Sequence, residues 1–252
     1  MRTVRRALSV LDCFSPASAR LTLQEIADRL GLAKSTTFRA VNALEDLGYL
    51  VRLTDQRYCL SLQFTRLGAL ARDTVGIREI ARPAMEQLAR TSRESVTVFT
   101  IEGSEYICVD VCSPPAPVMG LNRPGQRGPL NLGAASLVLM AYLPEPALIR
   151  ILPAVARRMR HSQCDLRSIL ANVRKQQYAV SHGGAIPGLS ALSVPLFGAD
   201  DAVRYSLNIV MPTARARGRI VPLLRLLRKV GRKVSLGLGA SVRGCVHETS
   251  DT

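Results

Sequence analysis

The chain has 252 residues, 47% of them hydrophobic, which excludes wholesale disorder and leaves room for two domains with separate cores. Lys and Arg number 34 against 19 Asp and Glu, a net charge of +15; the excess is spread along the chain, so it points to a polyanionic partner without locating it. Six cysteines with no paired framework, no signal-like leader and no apolar run near the ~18 residues of a membrane span together predict a cytoplasmic chain with no membrane partner.

In chain order, the segment TVRRALSVLDCF carries Val4, Ala7, Leu8, Leu11 and Phe14 at helical spacing and predicts a first helix. Residues 21–50, LTLQEIADRLGLAKSTTFRAVNALEDLGYL, hold two amphipathic helices joined by one Gly-Leu step. Ile26, Ala27 and Leu30 share one face, and Thr37, Ala40, Val41 and Leu44 share another, so the two helices close on one small core. Gly31 suits the left-handed turn between them and Leu32 covers the junction. On the outward face of the second helix lie Ser35, Thr36, Arg39 and Asn42, preceded by Lys34, while Glu45 and Asp46 stand at its far end. Only the first half suits a polyanion. This is the logic of a helix-turn-helix, in which the positive end of the recognition helix meets double-stranded DNA; an ordinary helical hairpin packed through small residues is the alternative.

The strand patterns Leu50 to Leu53 and Arg57 to Leu60 flank a Thr-Asp-Gln turn, a hairpin that completes a winged helix and places Arg57 to reach a minor groove or the backbone, a solvated turn residue being the alternative. Phe64, Leu67 and Ala71 continue a helical stripe that Gly76 interrupts, and Ile77 to Leu88 resume it, with Pro83 marking a kink or a start. The segment SVTVFTIEGSEYICVDVC predicts two strands, SPPAP and NRPGQRGP predict loops, and NLGAAS leads into a helix over Leu137 to Leu143 that Pro144 stops. Helices follow at Glu145 to Leu152 and Asp165 to Gln176; residues 178–212 predict two strands joined at GADD, and a last helix begins near Pro222. Mixed strands and flanking helices indicate an α+β domain. Cys108 and Cys112 fall on one side of a strand with no second ligand pair, so neither metal nor cofactor is expected.

Taken together, RALSVLDCF, the 21–50 segment, RYCLSLQFTRLG, IREIARPAMEQLA, PLNLGAASLVLMAYLP and YAVSHGGAIPGLSALSVPLF closely resemble the IclR-type (isocitrate lyase regulator) family of bacterial transcription factors over nearly the whole chain. The resemblance implies a winged helix-turn-helix at 1–62, a linker helix at 63–76 and a GAF-like effector-binding domain at 77–252. It implies a homodimer or homotetramer that binds operator DNA and a small organic-acid effector. It further places the effector pocket at Gly133, Ala134, Ala135 and Ser136, at Ser181 and His182, and on the strands carrying Ala191 and Asn208. This sequence departs from the family where that pocket is built: the His and Lys of the usual His-Ala-Thr/Ser-Ala-x-Gly-Lys are replaced within Asn131 to Leu137, Ser181, His182 and Gly184 stand for acidic residues, and Ser190 stands for Arg. SLNIV, with Asn208, is similar to the branch that senses aromatic acids. The small-residue turn at 133–135 also lets backbone N–H groups and the following helix dipole approach a carboxylate, although the same small residues suit tight helix packing.

Other classes fit less well. Three histidines at 161, 182 and 247 come with no phosphate loop, nucleophile elbow or metal pair, so no enzyme is expected. The basic stripe of RIVPLLRLLRKVGRKV suits a membrane surface or a helix packed on its own sheet, of which packing is preferred. An architectural DNA-binding protein would have no need of the second domain.

Overall fold

The computed structural model describes residues 2–15, 17–67, 76–114, 122–131 and 133–241, with the backbone alone at Arg2. The chain divides into two compact units at Gly76/Ile77. Ala71 of the expected linker helix, Leu132, and parts of the Pro-rich loop lie outside the described residues.

The first unit contains α1 (Arg2–Leu11), α2 (Leu23–Leu30), α3 (Lys34–Asp46) and the hairpin β1 (Leu50–Arg52) and β2 (Tyr58–Leu60). Its core gathers Val10, Ile26, Val41, Leu44, Leu50 and Tyr58. Within α1 the sequence stripe is only half right: Val10 is fully buried, whereas Val4 and Leu8 are 65% and 57% exposed. The apolar residues of α1 form one broad stripe, and it is the edge carrying Val10, with Ala7 and Leu11 beside it, that turns inward. Between α2 and α3, Gly31 adopts φ +61°, and the Leu32 N–H returns to the Ala27 carbonyl at 3.1 Å, the left-handed stop that turns the chain. Tyr58 and Leu21 exchange backbone hydrogen bonds, so the wing is tied back to the start of α2.

Helix α2 opens with a complete capping box: the Glu25 N–H donates to the Thr22 hydroxyl at 3.2 Å, and the Thr22 N–H donates to the Glu25 carboxylate at 2.7 Å. These bonds from Thr22, backbone first, hold the Glu25 carboxyl below its ordinary range. A carboxyl so depressed contributes its cap above its unfolded pKa and loses it as pH falls through the folded value. Thr22→Ala is expected to cost the first unit about 1 kcal/mol, read as a lower urea midpoint at neutral pH.

In the second unit a six-stranded antiparallel sheet has the order β5-β4-β3-β8-β7-β6, formed by β3 (Ser95–Glu102), β4 (Glu105–Cys112), β5 (Arg127–Pro129), β6 (Ala179–His182), β7 (Leu189–Phe197) and β8 (Val203–Pro212). Strand alternation sends Val96, Val98, Leu207 and Ile209 to one face, where α4 (Ile77–Ser92) and α9 (Ile220–Gly237) cover them with Met85, Leu88, Leu223 and Leu227. The opposite face carries α5 (Ala134–Ala141), backed by α6 (Glu145–Met159) and α7 (Gln163–Gln176). A short α8 (Thr213–Ala216) precedes α9. The buried side of α9, with Leu227 and Val234 nearly inaccessible, is the apolar stripe of the basic C-terminal segment, packed on its own sheet.

Several elements differ from the sequence expectation for identifiable reasons. Pro83 and Pro153 sit inside α4 and α6 without ending them. Both prolines lie on exposed positions, as do Glu79 and Ile149, whose carbonyls lose the usual partner, so the lost bonds fall on the solvent side of each helix. The apolar face of α6, with Leu148, Ile151, Leu152, Val155 and Ala156 buried, outweighs the local cost and carries the helix past Leu152 to Met159. Residues 127–129, expected as loop, form β5 at the sheet edge, where a proline needs no ladder partner. Residues 178–212 hold three strands instead of two, because the 183–188 turn, with Gly183 and Gly188 at positive φ, separates β6 from β7. Glu94, only 2% exposed, accepts from Arg215 and Arg219 and anchors the approach to α9 at the start of β3.

Candidate functional site

Two surfaces can carry chemistry. The first is the N-terminal half of α3. Thr37, Val41 and Leu44 are buried, which leaves Lys34, Ser35, Arg39 and Asn42 exposed and Thr36 half-buried. In contrast to α2, α3 starts on Ala33 with no side-chain cap, and no acidic residue lies in its first turn. Its positive end is therefore open to an external anion. Arg57 lies in the wing, half-exposed, within 3.9 Å of Glu25 and 3.8 Å of the Asp55 carboxylate. Its guanidinium already has acidic neighbours, so contact with a phosphate would require exchange.

The second surface is a cavity of about 590 Å³, counting its open mouth, between the sheet and the start of α5. Gly133, Ala134, Ala135, Ser136, Ser181, Ala191 and Asn208 line it. His182 does not: it is exposed, and its Nδ1 lies 2.8 Å from the Ser190 hydroxyl. The Ala134 N–H donates to the Ser181 hydroxyl at 3.0 Å, so β6 caps α5 from 47 residues away and fixes its end at the cavity. Gly133 N–H donates to the Asn131 side chain at 2.8 Å; a Cβ on Gly133 would stand 2.8 Å from both the Ala185 methyl and that side-chain oxygen. Only glycine lets the 183–188 turn close over this point.

Sequence reasoning missed the rest of the lining, notably Phe99, Tyr106, Ile186 and Val210. Phe99 and Tyr106 pack edge to face with centroids 5.2 Å apart. Burial first, and Cys108 second, push the Tyr106 phenol above its ordinary value, so it stays neutral. Strand alternation could have put Phe99 on the same face as Thr97, but not beneath α5, which depends on contacts distant in sequence. No described lining residue is charged. Below the cavity the sheet carries a cross-strand row, Thr97 opposite Asn208 and Asn208 opposite Ser193. Asn208 Nδ2 donates to the carbonyls of Thr97 and Ser206, both at 3.1 Å, but its Oδ1 has no protein partner, nor do Thr97 Oγ1 and Ser193 Oγ. A buried polar atom left so costs about 1–3 kcal/mol, which a bound donor would recover.

Among the described residues no helix is long and apolar enough to cross a membrane, and no group of three or more His, Cys, Asp or Glu could hold a metal ion.

Residues 3–54 match the IclR helix-turn-helix domain, and residues 69–236 match the bacterial transcriptional regulator IclR C-terminal domain. The HTH-type transcriptional regulator KipR of Bacillus subtilis is 27% identical over 245 residues, 94% of this chain and 97% of that protein. A crystal structure classed as an IclR transcriptional regulator, from Silicibacter sp. TM1040, superimposes with a TM-score of 0.84 at 24% identity, covering 95% of this chain and 97% of the other. An IclR homologue from Microbacterium hydrocarbonoxydans, crystallised in complex with 4-hydroxybenzoate, gives a TM-score of 0.56 at 23% identity over 94% and 98%. With a winged helix matched at 3–54 and a GAF-like α+β unit matched at 69–236, both to models of the same family, the chain belongs to the IclR-type bacterial transcriptional regulators, with a DNA-binding helix-turn-helix and an effector-binding C-terminal domain.

Proposed function

We propose that this regulator is a cytoplasmic homodimer or homotetramer whose second unit binds a small aromatic monocarboxylic acid and thereby changes its affinity for operator DNA. The observation that carries the reading is the composition of the cavity: two packed rings, Phe99 and Tyr106, a helix N-terminus, and no charged side chain among the described lining. A helix end equivalent to about half a positive charge suits one carboxylate, and a second carboxylate would find no counter-charge. The rings offer a stacking surface, and the orphaned Asn208 Oδ1 asks for a hydrogen-bond donor such as a ring hydroxyl. The Microbacterium homologue's 4-hydroxybenzoate combines these three features. That chain is under 25% identical, so its ligand supports the compound class and no specific compound.

On the DNA side, Lys34, Ser35, Thr36, Arg39 and Asn42 occupy the open end and outward face of α3 and are the proposed contacts, with Arg57 on the backbone. The effector acts only through its differential affinity for the DNA-binding and non-binding forms.

The test is a thermal-shift screen of the full chain against matched aliphatic and aromatic mono- and dicarboxylates. A specific ligand at one hundred times its dissociation constant adds about 2.7 kcal/mol of stability. Stabilisation by aromatic monocarboxylates above their dicarboxylate analogues is the expected result. A preference for dicarboxylates, or no acid hit at all, overturns the assignment.

A further inference from the structure

Phe38 is 45% exposed in the middle of α3, on a helix whose inward side is already filled by Thr37, Val41 and Leu44. It takes no part in the core of its unit, and no other ring stands against it among the described residues. An apolar side chain of this size left half in water forgoes burial that a phenylalanine elsewhere in a fold would gain. Helical spacing places it one turn after Lys34 and Ser35 and one turn before Asn42, on the flank of the exposed side those polar residues occupy. The exposed cations Lys34 and Arg39, with the uncapped positive end of the helix, make this side complementary to a polyanion.

Of the four bases, thymine alone offers the major groove an apolar mark, the 5-methyl group, and an apolar side chain is what reads it. We propose that Phe38 is a specificity-determining residue that packs against a thymine 5-methyl in each half-site, while its polar neighbours read hydrogen-bonding edges. The inference rests on the reading of α3 as the recognition helix. Contact with the methyl returns Phe38 to an apolar environment only on the correct sequence, so it adds discrimination that phosphate contacts cannot.

The experiment enriches duplexes from a random-sequence library with the full-length protein, then replaces each thymine of an enriched duplex by uracil, which deletes only the methyl. One position per half-site should lose roughly three- to tenfold in affinity, about the worth of one buried methyl group. Phe38→Ala should be insensitive to that replacement, and Phe38→Leu should keep part of the sensitivity. Placing 5-methylcytosine at the same position should restore affinity relative to cytosine for the wild type but not for Phe38→Ala. If no uracil matters, or if the loss persists undiminished in Phe38→Ala, the role of Phe38 is wrong although α3 still reads DNA. If no duplex is enriched at all, sequence-specific DNA binding by this chain fails, and the role of Phe38 falls with it.

Discussion

Arg39→Ala should cost about 1–3 kcal/mol on the selected operator and relax the preference at one base position per half-site. Arg39 is exposed on the outward face of α3, one turn beyond Ser35, and no described carboxylate pairs with it. Its five donors are thus free for the O6 and N7 acceptors of guanine, and deleting them leaves those acceptors unmet in a closed groove. Lys34 stands at the first position of α3, beside the open helix end, where a point charge serves phosphate better than a base edge. Lys34→Ala should therefore weaken all sequences alike and flatten the salt slope by about one. Arg57→Ala should do less than either, because Arg57 gives up its neighbours Glu25 and Asp55 in order to reach DNA. Fluorescence-anisotropy titrations on operator and scrambled duplexes across salt concentrations separate the three. Equal loss on both duplexes for Arg39→Ala would make it a phosphate clamp and remove its base-reading role.

The contrast between α2 and α1 shows which parts of such a fold a sequence declares. The stretch from the start of α2 through the turn into α3 is written in local chemistry: Thr22 and Glu25 three residues apart form the cap, Gly31 forms the stop, and the 3.6-residue period assigns Ile26 and Val41 to the core. None of this needs a distant partner. In α1 the periodic residues Val4 and Leu8 are exposed while Val10 is buried, because the choice of face depends on where α3 lies. The two interior prolines make the same point from the other side. A local rule ends a helix at Pro153, yet five buried residues on the opposite face of α6 hold it together.

The cavity divides along the same line. Gly133, Ala134, Ala135, Ser136, Ser181, Ala191 and Asn208 were reachable through small-residue chemistry and family resemblance, and they do gather around one space. His182 came with them through the family resemblance, but successive strand residues point to opposite faces, so Ser181 and His182 could not both look into it. Phe99 and Tyr106 carry no such local mark. They belong to a hairpin whose inward face becomes the wall of a cavity only once α5, which begins some thirty residues later, is laid across it.

Ala191→Trp should abolish stabilisation by aromatic acids while leaving operator binding within about twofold in the absence of effector. Ala191 faces the cavity from β7, half-buried at the edge of the neighbouring core cluster, with Ser181 and Val210 as its cross-strand neighbours, so an indole there has the cavity to enter. Ala134 is a poorer place for the same test. It is fully buried among the residues that pack α5 on α6 and α7, and added bulk there would strain the fold by about 1–3 kcal/mol or more before it touched a ligand. A companion variant separates filling from recognition. Asn208→Leu removes the orphaned Oδ1 without adding much volume, so a ring with a hydroxyl should lose about 1 kcal/mol of binding and the same ring without one should lose little. Isothermal titration of the wild type and both variants with the hydroxylated and plain forms of a single aromatic acid gives the affinities required. An unchanged response in folded Ala191→Trp would move the effector out of this cavity. Equal losses for the two rings on Asn208→Leu would keep the cavity but take from Asn208 its role as acceptor, because a hydroxyl bonded to Oδ1 would make the hydroxylated ring lose more.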